Sequence, residues 1–253
     1  MGQPVRRVQR HPDADAPPAR WPQTIPAVRQ LLAEGLDLGR ATVLVGDNGS
    51  GKSTVVEAIA EAFGLNAEGG STGARHATRR TESDLATRLH LVRGIGGARG
   101  GFFLRAETMH AFFTYLEENA SPSRTEVFHE RSHGESFLDL VGDRFFDHRG
   151  SPRQGLFVLD EPESALSFTS CLALLGLLGD LLAEPRAQVL LATHSPVLAA
   201  LPGATILELD AAGYRATPWE DVAVVVNQRA FLADPTRHLR AARLTEASPK
   251  GEQ

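Results

Sequence analysis

Lysine is nearly missing from this chain: 24 of its 26 basic residues are arginine, and lysine stands only at Lys52 and Lys250. Cysteine is scarcer still. Cys171 is alone, so no intramolecular disulfide can form, and its place in an apolar helical run reads as core filling. No stretch reaches the ~18–20 uninterrupted apolar residues that a membrane-spanning helix requires. The opening MGQPVRRVQRHPDADAPPAR has no apolar signal core, so the expectation is a cytoplasmic protein without membrane insertion. A net charge of -5 gives no electrostatic reason to expect nucleic acid or an anionic membrane as partner. The basic cluster Arg75, His76, Arg79 and Arg80 reads as solvated surface. His110, His129 and His148 show no metal-ligand spacing, and there is no internal repeat.

What is present suits an α/β protein. With 253 residues and a 42% hydrophobic share, one domain over residues 1–245 is expected, with a small helical subdomain at about 106–150 and a polar tail at 246–253. Short apolar runs at Ala41–Val45, Leu156–Leu159 and Val189–Ala192 read as strands buried on both faces. Helices are expected over Ile25–Ala33, Lys52–Phe63, Ala106–Glu118, Gly134–Phe145 and the leucine-rich run Leu174–Leu182, with one or two more over Asp221–Ala242. A short strand is expected around Val5–Val8, a strand pair from Leu89–Arg93 and Phe102–Leu104, and a hairpin from Thr205–Leu209 and Tyr214–Thr217. Strands alternating with helices imply a mainly parallel sheet with a small antiparallel element.

Three segments carry chemistry. Gly46-Asp47-Asn48-Gly49-Ser50-Gly51-Lys52-Ser53, followed by Thr54, lies between a strand and a helix and has the full pattern of a phosphate-binding loop. Its glycines let backbone N–H groups turn toward phosphates, and the helix adds its positive end. Lys52 is placed to reach the β- and γ-phosphates and Ser53 to offer magnesium a hydroxyl oxygen. In a chain that otherwise uses arginine, lysine here is informative: a compact ammonium fits inside such a loop and a planar guanidinium does not. The second segment is Leu156-Phe157-Val158-Leu159-Asp160-Glu161, an apolar strand ending in two carboxylates. Asp160 suits magnesium, and Glu161 suits orienting or deprotonating an attacking water. In the third, His194 follows a buried strand, where it can reach a γ-phosphate oxygen or that water.

In this order, the three segments resemble the ATP-binding-cassette class of P-loop ATPases. Ser132-His133-Gly134-Glu135-Ser136 resembles the signature motif of that class, and Ser164-Ala165-Leu166-Ser167 its D-loop. Phe103-Leu104-Arg105-Ala106-Glu107 occupies the region of its Q-loop, with Glu107 in place of the glutamine. Trp21, about 25 residues before the loop, stands where the class often has an adenine-stacking aromatic. The chain is most similar to a group of small stand-alone bacterial ATPases of the AAA/ABC type that share "FFLRAE", "SHGES" and "LDEPE-ALS". The signature departs from the class at His133 and Glu135, and the D-loop aspartate is Ser167.

The resemblance implies an ATPase using ATP and Mg2+, with Lys52, Glu161 and His194 catalytic and Ser53 and Asp160 at the metal. It also implies a head-to-tail homodimer formed on ATP, in which Ser132 and Gly134 of one copy close over the loop of the other, and an unidentified protein partner. The missing Q-loop glutamine speaks against a transporter energy subunit, and retention of Glu161 and His194 against a non-hydrolytic switch. Only about 25 residues separate Glu107 from the signature, without sustained heptads, so no DNA-bridging coiled coil fits there.

Overall fold

This computed structural model describes residues 2–15, 20–66, 70–71, 83–105 and 133–246. The helix expected over Ala106–Glu118, the cluster at Arg75–Arg80, His110, His129, Glu107 and Ser132 all lie outside them. In chain order the described elements begin with β1 (Arg7–Arg10), α1 (Pro26–Glu34), β2 (Leu36–Asp37), β3 (Ala41–Gly46), α2 (Lys52–Phe63), β4 (Gly70–Ser71), β5 (Leu89–Val92) and β6 (Gly101–Arg105). They continue with α3 (His133–Phe145), β7 (Gly155–Asp160), α4 (Phe168–Leu181), β8 (Ala187–Thr193), α5 (Pro196–Ala199), β9 (Thr205–Asp210), β10 (Gly213–Ala216), α6 (Ala223–Ala233) and α7 (Pro235–Glu246).

Seven strands form the main sheet in the order β10-β9-β3-β8-β7-β6-β4. The five interior strands, β9 to β6, run parallel, and β10 and β4 close the two edges antiparallel. The interior strands are mainly apolar because both faces are covered, with Thr42, Gln188 and Glu208 among the buried polar exceptions. Every residue of β7 and of β8 is buried. Leu44, Val158, Leu190 and Leu207 point to one face, where they pack with α1, α2 and a three-stranded antiparallel sheet of order β2-β1-β5. Val43, Val45, Phe157, Leu159, Val189 and Leu191 point to the other, against α3, α4 and the start of α6. Cys171 sits buried in this second layer, as core filling requires.

One expectation fails here. Leu89–Val92 and Phe102–Leu104 do not pair with each other. β5 pairs with β1, whereas β6 lies parallel to β7. Burial explains the split. Phe102, Phe103 and Leu104 are all buried and so need cover on both faces, while in β5 only Leu89 is fully buried. The first strand also falls slightly later than expected, at Arg7–Arg10. Val5 precedes it and is held by Gln188 of β8, whose side-chain amide accepts from Val5 N at 2.8 Å and donates to Val5 O at 2.7 Å. This buried amide stitches the N-terminal segment to the main sheet.

Candidate functional site

In a parallel sheet the carboxyl ends of the strands share one edge, and loops leaving that edge converge. Here they are the ends of β3, β8, β7 and β6, which are neighbours in that order. The register sets Val45 beside Thr193, Ala192 beside Asp160, and Asp160 beside Arg105.

The loop after β3 turns on three glycines with positive φ: Gly46 at 152°, Gly49 at 79° and Gly51 at 99°. At two of them space as well as conformation demands glycine. A side chain on Gly46 would strike the carbonyl oxygen of Leu209, and one on Gly51 would meet Ile25 Cγ2 at 2.6 Å. Ile25 immediately precedes α1, so that helix buttresses the loop. Asp47, Asn48 and Gly49 are exposed at its tip, and the Ser50 hydroxyl is buried without a hydrogen-bond partner among the described residues. α2 starts at Lys52 with no side-chain cap, so its first N–H groups are left for a ligand.

Lys52 is buried, at 3% exposure, and its ammonium lies inside the loop. It donates to Gly46 O at 3.0 Å and Asp47 O at 3.3 Å, lies 2.8 Å from His194 Nε2, and is 3.6 Å from Glu161 Oε1. His194 Nε2 is also 2.8 Å from Glu161 Oε1. One ring nitrogen cannot accept from the ammonium and donate to the carboxylate at once, so the position of a single proton chooses between the two. Burial lowers the Lys52 pKa from its ordinary value, and the neighbouring Glu161 carboxylate works against that shift.

Glu161 is the only non-glycine residue with positive φ among those described, at φ 49° and ψ 49°. This costly conformation turns the chain sharply out of β7 and aims the carboxylate at His194. It is pinned on both sides: Glu161 N donates to Ala192 O at 2.9 Å, and Ser164 N and Oγ donate to Glu161 O at 3.1 and 3.0 Å. Pro162–Ala165 then forms a 3-10 turn, and Glu163 Oε1 accepts from the backbone N–H of His194 at 2.5 Å. The structure therefore brings together Lys52, Glu161 and His194, with Asp160 buried at the same edge and Ser53 in the first turn of α2.

Strand order and loop geometry decide the type. The chain is an α/β protein with a mainly parallel sheet and a glycine loop leading from β3 into α2, the arrangement that the motifs predict. A family model described as "AAA domain, putative AbiEii toxin, Type IV TA system" matches residues 144–200, a segment that holds Asp160, Glu161 and His194 but not the phosphate loop. None of the curated proteins matches it in sequence. Among solved structures, the SMC head domain from Thermotoga maritima is 14% identical, covering 73% of this chain and 92% of that one, with a TM-score of 0.39. CbiO1 from Clostridium perfringens, part of an ABC transporter complex, is 14% identical, covering 84% and 90%, with a TM-score of 0.37. A dimeric bacterial ABC transporter cassette, MJ0796, is 16% identical, covering 72% and 86%, with a TM-score of 0.36. Superpositions this loose carry no weight for function, which rests on the residues of the site.

Other expected residues are less central. Gly134 lies in the first turn of α3, which packs against α4 and the 3-10 turn after Glu161. Trp21 is 51% exposed and stands four residues before the Ile25 buttress. Ser167, at the D-loop aspartate position, caps α4 by accepting from Ser170 N. Two further residues of this edge carry no local signal in the sequence. Glu163 holds the His194 loop through its Oε1, a contact that only the fold creates, and Arg105, two residues before Glu107, ends β6 beside Asp160.

Proposed function

We propose that this chain binds ATP with magnesium and hydrolyses it, in a site that a second copy completes. The observation that carries this reading is the convergence of Lys52, His194 and Glu161 within 2.8–3.6 Å at the mouth of the glycine loop. These are a cation for the phosphates, a polar group for the γ-phosphate or the water, and a carboxylate for that water's proton.

The phosphates would lie along the N–H groups of Gly49 to Ser53 and Thr54, at the positive end of α2. Lys52 would turn from Gly46 O and His194 toward the β- and γ-phosphates, which frees His194 Nε2 to pair with Glu161 or with the γ-phosphate. The donors available for a metal suit magnesium. Ser53 and Asp160 supply hard oxygen ligands, and among the described residues no group of three His, Cys, Asp or Glu could hold a metal alone. Remaining ligands would come from phosphate and water, as magnesium prefers. When bound, magnesium neutralises charge on the phosphate oxygens. Trp21 would stack on adenine, and Ser132 and Gly134 of the second copy would cover the γ-phosphate. No helix among the described residues is long and apolar enough to cross a membrane.

Replacing Glu161 by Gln tests the reading directly. The variant should bind ATP as the wild type does, measured by calorimetry, while turnover falls by about 100-fold or more. Unchanged turnover would remove Glu161 from its role. A wild-type protein that binds no ATP would sink the whole reading.

A further inference from the structure

Arg105 reaches two carboxylates on two different elements. Its Nη1 lies 3.3 Å from Glu57 Oε2 on α2, and its Nε lies 3.8 Å from Asp160 Oδ2 at the end of β7. All three groups are mostly enclosed, with side-chain exposures of 24%, 22% and 5% for Arg105, Glu57 and Asp160. Their placement is not arbitrary. Glu57 follows Ser53 by four residues, so the two share one face of α2 a single turn apart. Arg105 and Asp160 are register partners on adjacent parallel strands. The guanidinium thus ties the helix face that bears Ser53 to the strand end that bears Asp160.

We propose that Arg105 is a positioning residue for magnesium: it fixes the spacing and orientation of Asp160 relative to Ser53 through its second arm on Glu57. This rests on the reading of Ser53 and Asp160 as the metal pair. A planar guanidinium is suited to the task, because it spreads its charge toward both carboxylates: Nη1 lies 3.3 Å from Glu57, and Nε attracts Asp160 electrostatically across 3.8 Å.

The test is to measure affinity for a non-hydrolysable ATP analogue with Mn2+, a paramagnetic substitute read by electron paramagnetic resonance, and again with EDTA. In Arg105→Gln the Mn2+-dependent affinity should fall about tenfold or more, the usual effect of losing a partner of a metal ligand. Affinity in EDTA should stay within about twofold, since the glycine loop and Lys52 are untouched. Arg105→Lys should recover only part of the loss. Glu57→Gln should weaken Mn2+ binding in the same direction, and it provides the measurement if Arg105→Gln does not fold. An equal loss with and without metal, or no loss with metal, overturns the proposal. A wild-type protein that binds no analogue under either condition overturns the underlying reading as well.

Discussion

At the residue scale the firmest fact is the ammonium of Lys52, enclosed among Gly46 O, Asp47 O and His194 Nε2. A guanidinium is larger and planar and cannot occupy that space without opening the loop. Lys52→Arg, a routine exchange elsewhere in so arginine-rich a chain, is expected to weaken ATP binding about tenfold or more by calorimetry. Binding within twofold of wild type would show that the loop tolerates the larger cation. Tyr214 offers a second check, of the fold rather than the site. Its hydroxyl donates to Gly35 O at 2.7 Å, and burial pushes its pKa up to about 12. The folded value lies above the ordinary tyrosine value of about 10, so the stability contributed by the neutral phenol is complete below about pH 10. It is lost as pH rises toward about 12. An ultraviolet titration should show a tyrosinate step near that pH which Tyr214→Phe lacks; a wild-type titration already complete one unit lower would contradict the burial argument.

At the element scale much was legible because the signals were local. α2 begins at Lys52 and ends before Gly64, whose φ of 99° provides the left-handed stop. Pro26 opens α1 at its first position, where its missing N–H costs nothing. β7 and β8 were visible as apolar runs because a strand covered on both faces is mainly apolar. The pairing of β5 was not visible, since a four-residue strand carries no mark of which sheet it joins. Ser167 shows that a motif position and a structural role can be separated. It caps α4 through Ser170 N, so Ser167→Ala should cost about 1 kcal/mol in denaturant unfolding. If Ser167 acts only as the cap, the turnover of folded protein stays near wild type. A tenfold fall without that stability loss would assign it to communication between copies instead.

At the scale of the whole molecule, the parallel sheet decides which loops meet. The site on one chain contains the glycine loop, the carboxylates and the histidine, whereas Gly134 lies on the separate helix α3. A γ-phosphate held this way is covered from one side, and the proposed second copy covers the other. Specific ATPase activity should therefore rise with protein concentration, and Glu161→Gln with ATP should sediment as a dimer that reverts to monomer on nucleotide removal. A flat activity profile from a species that stays monomeric would disprove the composite site and leave the binding loop intact.

The sequence by itself determined the glycine loop, the two carboxylates after an apolar run and the run of strands and helices, because each depends on neighbours only a few residues apart. Strand order depends on contacts between distant segments, and only the tertiary structure decided it. β8 follows β7 in the chain but inserts between β3 and β7 in space. That insertion sets His194 between Lys52 and Glu161 and gives Glu163 a backbone N–H to hold. The parallel pairing of β6 with β7 likewise delivers Arg105 to Asp160. No spacing in the sequence could reveal either, since pairing among mainly apolar strands is set by packing on both faces of the finished sheet.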